Sequence, residues 1–307
     1  MTRTDFHFLA SLALLLTGAC SSPPPEPYSS ADLAPVHELA RQGQWDEAWS
    51  RIDDMKREYF DPLAQGEYSL LAGDIAYQRG DWDEAIQNYE LYLQFQGPAA
   101  QSSVVEARLF EMGLELIEGR RRAFGIFSDR SRGAASLTNL AIYSPRGRYA
   151  AEALAQVGEF HYENHYYQEA REDYQLLLVY HRDSEWADLA TFRIGMCGYH
   201  QVDGPWVDAG LIQQSMNQLK EYLKQFPSGL YLQEAEQTVA ELEELSAQKE
   251  LQLGDYYRTV GNVRGARQHY REASTHSGTR AAELAQARLQ GLPPEDPPLP
   301  EPVLEDA

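Results

Sequence analysis

Two histidines, His161 and His165, stand four apart in the run His161-Tyr162-Glu163-Asn164-His165. On a helix that spacing puts both imidazoles on one face, as in a pair that grips zinc. A metallopeptidase needs a carboxylate directly after the first histidine, and this chain has Tyr162 there. His161 also follows Gly158 by three residues, on what reads as the inner face of a helix pair, so a packed histidine is the competing assignment. A metal-dependent hydrolase using His161 and His165 stands as the one chemical alternative. Cys197, between Met196 and Gly198 in a helical stretch, reads as a buried, inert thiol. Carboxylates are plentiful but fall at helix-surface spacing, as in Glu241-Leu242-Glu243-Glu244, rather than as an opposed acid and base. The chain has no Walker loop, dinucleotide glycine triplet, CxxC pair or glycine-flanked nucleophilic serine. The residue pattern therefore asks for no enzyme and no cofactor.

A second cysteine carries a different chemistry. Arg3 precedes an apolar run from Phe8 to Leu16, which leads through Thr17-Gly18-Ala19 to Cys20 and then Ser21-Ser22-Pro23-Pro24-Pro25. An apolar core this short, ending in small residues, is an export signal rather than a membrane span. Residues 1–19 are read as that signal, and residues 20–31 as a Pro/Ser tether. Small residues directly before a cysteine resemble the lipobox of bacterial lipoproteins, in which Cys20 is acylated and becomes the new N-terminus. The other reading is a plain signal cut after Ala19 that leaves Cys20 free. Buried acyl chain contributes about 0.8 kcal/mol per CH₂, so several chains hold a protein firmly at a membrane. A lipidated Cys20 leaves Cys197 without a disulfide partner. In the pathway that the lipobox resembles, Ser21 after the cysteine implies export to the outer membrane.

The 307 residues carry 26 Lys and Arg against 47 Asp and Glu, a formal net charge of −21. A chain that acidic lacks the broad basic face of a nucleic-acid binder. Its length suits either two domains or one array, and internal repeats decide between them.

Gly43-Gln44-Trp45-Asp46-Glu47-Ala48 returns almost letter for letter as Gly80-Asp81-Trp82-Asp83-Glu84-Ala85. Weaker copies are Tyr166-Tyr167-Gln168-Glu169-Ala170 and Gly261-Asn262-Val263-Arg264-Gly265-Ala266. A glycine precedes the alanine in three of these copies, at Gly73, Gly158 and Gly254, and a tyrosine follows it, at Tyr89, Tyr174 and Tyr270. Small residues so placed let two antiparallel helices cross closely, and the tyrosine is expected to pack into the next unit. This resembles the tetratricopeptide repeat, a helix-turn-helix of about 34 residues that stacks into a solenoid. Two less obvious units, Val105–Pro145 and Ala187–Pro227, cross at Gly113 and Gly195. The fold expected is all-α: a tetratricopeptide-repeat solenoid of about six helix pairs, with one set over residues 32–149 and another over 150–290.

The widest gap between crossing glycines, Gly195 to Gly254, holds a helical run from Leu230 to Val260. Small or apolar residues recur at Ala235, Val239, Leu242, Ser246, Leu253, Tyr256 and Val260, with Lys249 breaking the seam. Unbroken, about 31 residues at roughly 1.5 Å each make a rod of about 46 Å that needs neighbours along its length. An insertion at 118–133 gathers five arginines, among them Arg120, Arg121 and Arg122, with Phe124, Ile126 and Phe127. It reads either as a contact for an acidic partner or anionic headgroups, or as a loop that covers the next helix. Residues 291–307, rich in proline and carboxylates, read as a disordered tail.

From about Tyr166 to Ser277 the order of features is more specific than a generic repeat. Tyr222-Leu223-Lys224-Gln225-Phe226-Pro227-Ser228-Gly229-Leu230-Tyr231 leads into the long helix, then Gly254-Asp255-Tyr256-Tyr257, then the turn from Gly261 to Ala266. This order, with the lipoprotein N-terminus, resembles the BamD family of periplasmic lipoproteins in the outer-membrane β-barrel assembly machine. The resemblance implies a scaffold without chemistry of its own, lipid-anchored on the periplasmic face of the outer membrane. The implied partners are a BamA-like barrel assembly protein, other subunits of the assembly complex and unfolded outer-membrane protein segments. Family members commonly carry an arginine three after the alanine of the last turn that contacts BamA. Here the aligned residue is His269, flanked by Arg264, Arg267 and Arg271, and these four form the expected docking surface. A second binding role, coordinating envelope machinery as tetratricopeptide proteins of the Tol-Pal system do, stays open. Those carry a coiled coil before their repeats, and Pro23 to Ser30 leaves no room for one.

Overall fold

The computed structural model describes residues 27–59, 61–95, 99–120, 122–123, 127–128, 130–205 and 208–294. Cys20 and the signal, Arg121, Phe124 and the tail from residue 295 lie outside the described residues. The chain divides into two compact units, Met1–Ala99 and Ala100–Ala307.

In the first unit α1 (Ala34–Arg41) pairs with α2 (Trp45–Glu58), and α3 (Gly66–Arg79) with α4 (Trp82–Gln94). Pro35 opens α1, where a missing N–H costs nothing. Asp46 and Glu47 begin α2 and Lys56 and Arg57 close it, each charge matched to the helix dipole. Gly43 and Gly80 take the left-handed conformation of the turns, with φ of 71° and 73°, which explains the repeated Gly-x-Trp motif. One core gathers Leu33, Val36, Ile52, Met55, Tyr68 and Ile75. Tyr28, inside the tether read from sequence, is packed into it edge-on to Tyr59 and Tyr68.

The second unit continues the pattern with α5 (Ala99–Ile117) and α6 (Arg130–Tyr143), α7 (Ala150–Glu163) and α8 (Tyr167–His181), and α9 (Ala187–Tyr199) and α10 (Ala209–Gln225). Then come α11 (Leu232–Thr259), α12 (Val263–Ala273) and α13 (Arg280–Gln290). Successive pairs stack, α6 on α7, α8 on α9 and α10 on α11, so the fold is an all-α array of tetratricopeptide-type helix pairs. Inside the Arg-rich insertion the backbone forms one antiparallel strand pair, β1 (Arg122–Ala123) and β2 (Phe127–Ser128). Among the described residues no helix is long and apolar enough to cross a membrane.

The long helix is real, but its buried face differs from the single seam read in the sequence. Its buried residues are Ala235, Thr238, Val239, Leu242, Ala247, Leu251 and Gly254, whereas Tyr256 and Val260 are exposed at 61% and 57%. The first half packs on α10, the second on α12 and α13. Ala235, Val239 and Leu242 repeat as Ala247, Leu251 and Gly254, and at 100° per residue the two stripes lie about 120° apart. Lys249 sits half-buried within the helix, which runs on through it.

Candidate functional site

Each tetratricopeptide pair in which a glycine precedes the tyrosine closes in the same way. A methyl group at Gly73 would lie 2.6 Å from the Tyr89 ring, and one at Gly158 would lie 2.6 Å from Tyr174. Gly254 abuts Tyr270 in the same manner. The tyrosine thus packs on the glycine of its own pair, not in the next unit as the sequence reading had it. Close crossing is the reason: the ring fills the space that the absent side chain leaves. The hydroxyls then donate to the carboxylate one residue past each glycine. Tyr89 bonds Asp74 at 2.8 Å, Tyr174 bonds Glu159 at 2.5 Å and Tyr270 bonds Asp255 at 2.7 Å. Where leucine replaces the tyrosine, at Leu137 against Gly113 and Leu219 against Gly195, the next residue is apolar (Leu114, Met196).

In the second unit two of these carboxylates also reach an arginine of the following pair. Arg193 on α9 makes a two-pronged bond to Glu159, at 2.7 and 3.0 Å, and lies 4.2 Å over the Tyr162 ring. Arg288 on α13 bonds Asp255. Charge-assisted, two-pronged pairs of this type add geometric specificity as well as energy. They tie α9 to α7 and α13 to α11, the helix on which α12 packs.

α12 carries the residues expected to dock a partner. Arg264 and Arg271 are exposed on α12. Arg267 is half-buried, and its guanidinium donates to the Pro293 carbonyl where the chain leaves α13. His269 turns inward: Nδ1 is 2.7 Å from Glu250 Oε2 on α11, and its ring stacks on Tyr257 at 5.1 Å. Ala266, Tyr270 and Ala273 form the buried side of the helix, so the three arginines share one outward stripe. In the insertion, Arg120 is exposed and paired with Glu118, and Arg122 and Phe127 enter as backbone positions of the strand pair.

The histidine pair comes apart. α7 ends at Glu163, and His165 sits beyond it with φ at 65°, in the turn position that glycine holds at Gly43, Gly80 and Gly261. The helical spacing required for shared metal ligation is therefore absent. His165 Nδ1 meets the Tyr167 hydroxyl at 2.8 Å, while His161 Nδ1 lies 2.6 Å from Asp173 Oδ2 on α8. The Asp173 hydrogen bond raises the His161 pKa above its ordinary 6.5, with burial opposing it. Among the described residues no group of three or more His, Cys, Asp or Glu is placed to hold a metal ion. Cys197 is buried, and burial pushes its pKa up to about 12, which keeps the thiol protonated.

His161 opens on a cleft of about 530 Å³ between α6 and the α7–α8 turn. Phe160 and Tyr166 line it with aromatic rings, and Thr138, Asn139, His161 and Glu169 with polar groups. Sequence reasoning missed the cleft, because its walls come from three elements with no shared spacing. It also missed the tyrosine–carboxylate pairs, although the acidic residue after Gly73, Gly158 and Gly254 was the available signal.

Residues 127–278, from β2 to the end of the turn after α12, match the family model YfiO, described as outer membrane lipoprotein. The matched stretch holds the glycine–tyrosine pairs of the second unit, the long helix and the arginine stripe. The chain is thus similar over just under half its length to an outer-membrane lipoprotein family. No curated protein matches it. Among solved structures, a tetratricopeptide repeat protein from Parabacteroides merdae is 15% identical, over 85% of this chain and 96% of its own. The TM-score of that pair is 0.29, too low to add to the fold read from the helices themselves.

Proposed function

We propose that this chain is a lipid-anchored scaffold that helps assemble β-barrel proteins into the outer membrane from its periplasmic face, in the manner of BamD. The observation that carries the reading is the match of residues 127–278 to an outer-membrane lipoprotein family, laid over the helix pairs of the second unit. Acylated Cys20, directly after the signal of residues 1–19, supplies the anchor in this reading. Arg264, Arg267 and Arg271 form the surface for a BamA-like protein, with His269 bracing α12 against α11 rather than meeting the partner. The cleft beside His161 suits an unfolded outer-membrane segment. Barrel strands alternate apolar and polar side chains, and the cleft is lined by both aromatic and polar ones. In this reading Arg120 and the insertion are contacts for the other subunits or for headgroups. The scaffold does no chemistry and needs no cofactor.

Depletion of the protein in its host should lower the levels of several barrel proteins together. Capture through photo-crosslinkers at Arg264 and Arg271 should recover a BamA-like barrel protein. Normal barrel assembly in a deletion strain overturns the reading.

A further inference from the structure

The outward stripe of α12 is basic in a chain with a net charge of −21. Arg264, Arg267 and Arg271 fall within an arc of about 60° on a helix about 16 Å long. Beyond α13 the chain does not head away from this stripe. Leu292 packs against the terminal core beside Tyr257 and Leu289, and the Pro293 carbonyl accepts from Arg267. The next residues, 295–307, hold Glu295, Asp296, Glu301, Glu305 and Asp306, four prolines, and no lysine or arginine. Extended at about 3.1 Å per residue, thirteen residues reach about 40 Å, more than twice the length of the helix they start beside.

We propose that the α12 stripe is a docking surface for an extended acidic segment, and that its resident occupant is the chain's own tail, residues 295–307. The Arg267–Pro293 bond starts the tail beside the stripe, and Glu295 and Asp296, its first carboxylates, are complementary in charge to the arginines there. Prolines favour a pre-extended backbone, which lowers the entropy lost when the tail lies down. Exposed pairs of this type are individually weak, so the tail covers the stripe without sealing it. An acidic partner segment would displace the tail by adding its own carboxylates. That consequence, and only that, rests on the assembly reading: the tail covers the surface a barrel partner would use.

The test needs no partner. A photo-crosslinking side chain is placed at Pro297, about 12 Å along an extended tail from Pro293, in the purified full chain, and its products are mapped by mass spectrometry. Cross-links should concentrate on Arg264–Arg271. Charge reversal of two exposed arginines, R264E with R271E, should cut them about fivefold, the effect of losing a few surface ion pairs. Reversing the tail as well, with E295K, D296K, E301K, E305K and D306K, should restore them. The tail-neutral variant, E295Q, D296N, E301Q, E305Q and D306N, leaves every helix untouched and should lose the same cross-links, which covers a reversal variant that fails to fold. Cross-links spread over the surface, or on α12 but indifferent to these charge changes, overturn the proposal. Tail contact without capture of a barrel protein would leave it standing and count against the assembly role alone.

Discussion

Tyr89, Tyr174 and Tyr270 each do three things at once: they fill the space over a glycine, bury a ring and satisfy a carboxylate. That economy leaves no room for a side chain at these glycines. Gly158→Ala places a methyl group 2.6 Å from the Tyr174 ring and should cost about 1–3 kcal/mol, the usual penalty for overpacking. Gly291→Ala is the control: its nearest neighbour would be 3.6 Å away, and no loss is expected. Denaturant unfolding of both variants decides the matter. A second residue-scale prediction concerns pH. The fold favours charged His161 through Asp173, so this pair's contribution is present below the ordinary value of 6.5, as long as Asp173, whose pKa burial raises, stays ionised, and is lost as pH rises through the raised His161 pKa. The stability gap between the native chain and H161Q should therefore be largest at about pH 5.5 and shrink by about pH 8.5. A gap that widens with pH would refute the assigned charge.

At the scale of elements, α11 behaves as two half-helices with separate duties. Leu251→Ala empties a buried site against α12 and α13 and should cost about 2–5 kcal/mol. Tyr256→Ala, on the exposed side, should change stability by no more than about 0.5 kcal/mol. A large loss at Tyr256 with little at Leu251 would show that the one-seam reading was right after all. The hairpins were legible in the sequence because close crossing demands a small residue, and Gly73, Gly113, Gly158, Gly195 and Gly254 marked all five such crossings. The seam of α11 was misread because a single helical period assumes a single partner face, and this helix has two. α13 went unread because its buried side is only Ala281, Ala282 and Ala285, too little apolar contrast to stand out. The α12 stripe was visible in its arginines, but the inward turn of His269 depends on Glu250 and Tyr257, which lie far from it in sequence.

For the whole molecule, the division at Ala99 means that the second unit holds its own cores and its own interlocking arginines. A chain beginning at Ala100 should keep a helical spectrum and melt in one cooperative transition, as read by circular dichroism. Gradual, non-cooperative melting of that fragment would show that the first unit is required for its folding.

The two stripes of α11 also act as a phase setting. Everything after Leu242 owes its orientation to the few residues before Ala247. One residue added there would swing α12, α13 and the arginine stripe through about 100° relative to the earlier pairs. Seven would bring them back to within about 20° of the original bearing while carrying them outward. Surface turns commonly tolerate length changes, but residues 243–246 are a place where length itself carries information. A single alanine inserted after Glu244 should leave the helix intact and yet abolish the Asp255–Arg288 lock or the packing on α10, and hydrogen exchange across α10–α13 would report which one gives way.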